Sequence, residues 1–448
     1  MLHGPISSAQ TQPHAPRPPR RLSVEVLRLC AIIGIAVFHT FSASFHHIAA
    51  CLPSVHDTAD ACGALAPMAA HPTALLPLAM MMALGSWGNH VFFMISGFFL
   101  VASARSKVGE PRFWQSQYRM VARRVLIVAL TVAFYALVCR IVDQWIVPVP
   151  AVHQPSRWIT GLEFVWLYCL FTTLAPPMGW LLHRLDGCRR STRRAALVAA
   201  LAIVLLTYAL NVVVAFTSSA PGISFALSDW RKWISAITYA QSFLIAGCIG
   251  SALRSDDAAT ARTATPAAPY VTFLTARRLW LTILLLCAAI LSVAYAIALA
   301  MPNISLLTAV SFKSTSPLSF LLALSALMLA IGPHTARASH ATLPQLPQQQ
   351  QHQTQPPSPV TRAPATALIH RIVTAMASGI IGFYIIQSVT TELWEPIARA
   401  VAAPPSTVGD AALWYGSGIL FSLALVAVAC LCDRVIRRPL FALIHLAK

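Results

Sequence analysis

The stretch RLSVEVLRLCAIIGIAVFHTF at residues 21–41 sets Glu25, Arg28 and His39 in an otherwise apolar segment. Ionisable groups in such a setting are costly to hold in a membrane and are functional candidates by default. Arg28 and His39 are eleven residues apart, which at 3.6 residues per turn returns them to nearly the same helix face, about 16 Å apart along the axis. They are expected to line one pathway. A blander arrangement fits the same residues: Glu25 and Arg28, at i and i+3, form a snorkelling ion pair while His39 is a hydrogen-bonded packing residue.

Such side chains need elements that hold them within lipid. The 448 residues are 57% hydrophobic and only 10% charged, where a soluble domain carries about a quarter charged residues. Apolar runs of about 18 to 25 residues recur, long enough to cross a hydrocarbon core as helices. The fold class is therefore an all-α membrane protein, a single polytopic bundle of about ten transmembrane helices. The spans fall at 22–43, 86–104, 121–142, 158–182, 195–216, 233–253, 279–300, 316–332, 369–389 and 411–432.

The formal net charge of +18 would suggest nucleic acid in a soluble protein, but its distribution says otherwise. With the N-terminus inside, 25 Lys and Arg fall in inside segments and six in outside ones, with Arg28 left over within the first span. Retention of Lys and Arg on the cytoplasmic side sets orientation, so both termini are expected to be cytoplasmic in an inner (plasma) membrane protein. No nucleic-acid partner is expected; membrane lipids are.

Residues 1–21 read as a disordered basic tail and 22–440 as one transmembrane domain. A Pro- and Gln-rich stretch at about 333–368 reads as a disordered inside loop, and 441–448 as a C-terminal tail. Four histidines in the outside loop, His46, His47, His56 and His71, have no tidy ligand spacing, so no metal site is expected. Cys51 and Cys62 share that loop, and a ten-residue gap permits them to pair in an oxidising compartment.

Several segments together resemble the acyltransferase 3 superfamily, integral membrane enzymes that O-acylate cell-surface glycans. Arg28 and His39 stand at the Arg-x10-His spacing of its first helix, with an acidic residue three positions before the Arg. VFFMISGFFL at 91–100 is similar to its FF-x-x-SGF/Y-x-L element, and FWQSQYRMVARR at 113–124 stands at its basic stretch. WLYCLFTTLAPPM at 166–178, FLIAGCIG at 243–250 and GIIGFYIIQSVTTELW at 379–394 follow in the family's order. Gln387 stands where many members have His, and Glu163 and Val165 where a His and a Trp often occur.

The resemblance implies transfer of an acyl group, typically from cytoplasmic acetyl-CoA or another acyl-CoA, to a hydroxyl of a glycan or lipid-linked sugar acceptor. An imidazole can take the proton of that hydroxyl, which casts His39 as general base, with Arg28 and Glu25 beside it in the catalytic set. The tetrahedral oxyanion needs a donor, for which Asn89, Ser96 or a backbone N–H beside Gly97 qualifies. Arg119, Arg123 and Arg124 are suited to the CoA phosphates, since Arg pairs bidentately with phosphate; ordinary positive-inside anchoring fits them equally. A thioester needs no metal to be attacked. The rival classes are a secondary transporter or flippase for a glycan or lipid, which would also bury an Arg and a His, and a catalytically inactive relative.

Overall fold

The computed structural model describes residues 21–51, 66–217, 224–263, 276–301, 304–311, 316–339, 364–377 and 379–443, with Gly63 and Leu274 besides. Parts of both tails, most of the linker before residue 364, and Cys62 lie outside the described residues, as does the expected Cys51–Cys62 pairing.

Every regular element among the described residues is a helix. The long ones are α1 (Leu22–Cys51), α2 (Leu76–Arg105), α3 (Phe113–Trp145), α4 (Glu163–Asp186), α5 (Arg190–Thr217), α6 (Ser224–Thr263), α7 (Arg277–Ala300), α8 (Pro317–Ser339) and, after the linker, α9 (Pro364–Ala377). The chain continues as α10 (Ile380–Val389), α11 (Thr391–Val401) and α12 (Ala411–Cys432). Helices satisfy their own backbone groups, which is what lets them cross lipid.

Among the described residues eight helices are long and apolar enough to cross a membrane, and the chain is a polytopic all-α membrane protein. Two of the ten expected spans differ in kind. The segment expected as one span at 369–389 is broken, its two helical pieces meeting at 47° around Gly379. The segment at 316–332 forms a shorter apolar helix over Pro317–Gly332, about 24 Å at 1.5 Å per residue.

Helix α2 is the axis of the bundle, packing against α1, α4, α6 and α8. Two-thirds of its apolar window is buried, against 17% for α5. The reason is compositional: α2 places Gly85, Gly88 and Gly97 among large apolar residues, so neighbouring backbones can close on it. A Cβ at Gly97 would collide with the backbone of Phe243 in α6, the small-residue contact by which membrane helices pack without a hydrophobic drive. Peripheral α5 instead turns Leu197, Val198, Leu201 and Leu206 outward, each more than half exposed, as a lipid-facing helix must.

The break at Gly379 redirects α10, so that it packs against α3, α4 and α12. Its position is fixed from behind by Asp433, which is fully buried beyond the end of α12. Asp433 accepts hydrogen bonds from the Tyr135 hydroxyl at 3.0 Å and from Arg437 Nη2 at 2.9 Å, with Arg438 Nε 3.7 Å away. A Cβ at position 382 would collide with the Asp433 carboxylate and the Tyr135 hydroxyl, so any larger residue must displace that pair.

Candidate functional site

Helix α1 buries Ile32, Ile35, Ala36 and Val37, and one turn on it turns His39 into open space. The imidazole is exposed in a cavity of about 190 Å³ bounded by α1, α2, α4, α6 and α10. Its ring meets the edge of Phe38 at 4.9 Å. The cavity wall mixes aromatic rings with polar groups: Asn89, Glu163, Tyr239, Tyr384 and Ser388 share it with His39 and Phe164.

Asn89 is the hub. Its Nδ2 donates to the Tyr239 hydroxyl at 2.7 Å, and its Oδ1 accepts from the Tyr384 hydroxyl at 2.7 Å. Packing fixes both tyrosine rings: Tyr384 stacks on Phe164 with centroids 4.1 Å apart, and Tyr239 lies 4.9 Å from Phe93. Behind this wall His90 is wholly buried, with its Nδ1 2.7 Å from the Ser242 hydroxyl. Glu163 opens α4 and is half-buried, which brings a carboxylate to the cavity from a third direction.

The remaining residues singled out from the sequence lie elsewhere. Arg28 does not line the cavity; its Nη1 is paired with Glu25 at 3.0 Å, the Glu25 side chain being 7% exposed and that of Arg28 24%. Both contacts to Glu25 come from the one nitrogen, and among the described residues the guanidinium's Nη2 and Nε make no hydrogen bond. Ser96 bonds back to the carbonyl of Phe92 at 2.9 Å, within its own helix. Ser96 and Gly97 thus form a close-packing spot two turns along α2 from Asn89, and Ser96 is not part of the cavity wall.

Arg119, Arg123 and Arg124 are exposed on α3. The first turn of α3 meets the last part of α4 through Trp114 and Trp180, and α4 is tied there to the end of α2 by the Arg105–Asp186 ion pair. The turn of α1 bearing Glu25 and Arg28 packs with Phe98 in the same direction. The cations therefore gather toward the C-terminal end of α2. Asn89 lies sixteen residues back, about 24 Å along the axis.

The structure thus brings His39 and Asn89 together and adds Glu163, Tyr239, Tyr384 and Ser388, which were not expected as site residues. Their signal was present but quiet. The run TYAQS at 238–242 interrupts an apolar helix with four polar groups, and Tyr384 sits in the stretch at 379–394 quoted above. Gln387 is buried and Val165 packs in the core beside Ile385 and Val389; neither lines the cavity. Among the described residues no three His, Cys, Asp or Glu side chains are grouped as a metal site.

Chemically the cavity offers an imidazole that can exchange a proton, a carboxylate that can accept a hydroxyl, and phenol and amide groups that can stabilise negative charge. A family model described as an acyltransferase domain, acyltransferase 3, matches residues 21–432. No curated protein and no solved structure matches the chain.

Proposed function

The chain belongs to the acyltransferase 3 family, and from that membership we propose that it moves an acyl group, acetyl in the simplest case, from acyl-CoA to a hydroxyl of a cell-surface glycan or lipid-linked sugar. The observation that carries this reading is His39, exposed in a polar cavity within an apolar bundle.

In this reading the acceptor hydroxyl lies against His39. As the oxygen attacks the thioester carbonyl carbon, its proton passes to the imidazole and the carbonyl electron pair moves onto oxygen. Collapse of the tetrahedral intermediate breaks the C–S bond, and the thiolate takes the proton back from the imidazolium. General-base help of this kind contributes about 10²–10⁴-fold. Glu163 and Ser388 are placed to hold sugar hydroxyls, and Phe164 offers an apolar ring face for a sugar to rest on.

The donor's phosphates are assigned to Arg119, Arg123 and Arg124, with Arg28 offering its unused nitrogens. The thioester arm then spans the distance between these cations and the cavity. That division fits an inner-membrane protein with cytoplasmic termini, taking its donor from the cytoplasm and its acceptor from the other face.

The test is incubation of purified protein with radiolabelled acetyl-CoA and cell-envelope fractions. Label is expected in an alkali-labile ester on a glycan fraction. Release of free CoA without any labelled acceptor, or no consumption of donor, would contradict the reading.

A further inference from the structure

Glu163 and Ser235 both line the His39 cavity, and both lack a partner for their polar atoms. Among the described residues the half-buried Glu163 carboxylate has no ion pair and no hydrogen bond. Ser235, one turn before Tyr239 on α6, is 3% exposed, and its buried hydroxyl has no hydrogen-bond partner among the described residues. A helical serine can close that gap on the carbonyl four residues back, as Ser242 of the same helix does on Thr238 at 2.9 Å. Ser235 does not, and a buried hydroxyl left unbonded costs free energy until something entering completes it. The charge of the wall is one-sided as well. Among the described residues Glu163 is its one carboxylate, and no Lys or Arg lines it. Arg157, just before this segment, is paired with Glu392 and donates to Gln154 at 2.6 Å.

We propose that Glu163 and Ser235 determine the acceptor: a sugar that carries no acidic group, turns an O–H or N–H donor to Glu163 and completes the hydrogen bonding of Ser235. This rests on the acyl-transfer reading and deepens it by naming the acceptor's class. The pair holds the acceptor and takes no part in the bond changes, in which His39 still receives the hydroxyl proton. An ionised carboxylate only accepts hydrogen bonds, so whatever lies against Glu163 must donate. A hydroxyl, an amide N–H or an ammonium group meets that need. A uronate or a sugar phosphate instead brings a second negative charge into an apolar bundle, beside a carboxylate and away from any Lys or Arg of the wall. Like charges held together out of water are disfavoured, and an unpaired charge of this kind is how a site rejects a near-copy of its substrate.

The packing holds the two groups on neighbouring parts of the wall. Glu163 opens α4, and the next residue, Phe164, stacks on Tyr384 with centroids 4.1 Å apart, which fixes the start of that helix. Phe164 also lies 6.3 Å from the ring of Tyr239, one turn along α6 from Ser235. His39 enters from α1, a third helix. A sugar whose reacting hydroxyl lies on the imidazole therefore turns its other substituents toward α4 and α6.

The experiment uses the full chain in lipid nanodiscs, acetyl-CoA whose acetyl carbons carry a heavy isotope, and the envelope acceptor fraction. Tandem mass spectrometry of the product gives the mass of the sugar residue that bears the ester. A residue without carboxylate, phosphate or sulfate is expected, and an ester on an acidic residue overturns the proposal. Glu163→Gln keeps the shape and removes the charge. The apparent KM for the acceptor fraction is expected to rise about 10–10²-fold, the worth of a hydrogen bond to a charged group. The apparent KM for acetyl-CoA should change by less than about two-fold, and turnover at saturating acceptor should fall far less than KM rises, the pattern of lost acceptor binding. Ser235→Ala is expected to raise the acceptor KM about two- to ten-fold without lowering the thermal unfolding midpoint, because the hydroxyl removed has no partner to lose. A serine that served packing alone would leave KM where it was. An acceptor KM unchanged in either variant overturns the pair. Should Glu163→Gln fail to fold, Glu163→Asp draws the charge back from the cavity: a raised acceptor KM supports the proposal and an unchanged one overturns it. A wild-type protein that acylates an acidic sugar defeats this inference alone; a wild-type protein that consumes no acyl-CoA defeats the function and this inference together.

Discussion

The polar cluster around Asp433 and the polar cluster around His39 are built on opposite principles. Asp433 is wholly buried and closed on itself: Tyr135, Arg437 and Arg438 surround its carboxylate, and Gly382 leaves no room for anything more. The His39 cluster encloses about 190 Å³ of space into which an imidazole, a carboxylate and two phenols face. Buried charge that is fully paired specifies how helices meet, while polar groups arranged around a void are arranged for something that enters it. The two are joined by α10, with Gly382 against Asp433 and Tyr384 in the cavity wall.

Substitution separates the two clusters, since they should fail in different ways. His39→Ala is expected to lower acyl transfer by about 10²–10⁴-fold while leaving the unfolding midpoint in detergent near wild type, because the ring is exposed. Activity at matched membrane abundance, beside a thermal unfolding curve, checks both halves. Asp433→Ala should do the reverse in kind: it leaves Arg437 poorly paired in a buried site, for which breaking one partner of a buried pair costs about 3–5 kcal/mol. Denaturant titration of the purified variant measures that loss, and what transfer activity survives per folded molecule should remain well above that of His39→Ala.

The smallest effect is expected at Arg28. If its unused nitrogens hold a phosphate oxygen, Arg28→Lys keeps the charge and loses the planar fork, and the apparent affinity for acetyl-CoA should fall several-fold with stability unchanged. A snorkelling Arg would tolerate Lys with no change in donor affinity. Donor titrations at equal folded protein separate the two.

Much of the bundle was legible because long apolar runs have few alternatives to a helix: the expected span 22–43 lies within α1, 411–432 coincides with α12, and the runs at 195–216, 233–253 and 279–300 each fall on one helix. The break near Gly379 was not, since an apolar run around a glycine reads as a continuous span until neighbouring helices decide its direction. His39 and Asn89 stood out as polar residues in apolar helices. Tyr239 and Tyr384 did not, because a tyrosine in such a helix is most simply a packing ring. Only the contact of three separate helices at Asn89 shows where their hydroxyls go. Asp433 was hidden differently: it follows the last expected span and sits among Arg434, Arg437 and Arg438, whose charges count toward the inside segments.

Filling the His39 cavity asks whether acyl transfer takes place there. Ser388 lines it from α10, so Ser388→Cys places a thiol in its wall and leaves His39, Asn89, Tyr239 and Tyr384 unsubstituted. Labelling that variant to completion with a bulky maleimide, beside wild-type protein labelled in the same way, isolates the effect of position 388. Transfer to the envelope acceptor is expected to be abolished only in the labelled variant, and prior incubation with acceptor is expected to slow labelling. Full transfer activity after complete modification of Cys at 388 would contradict it.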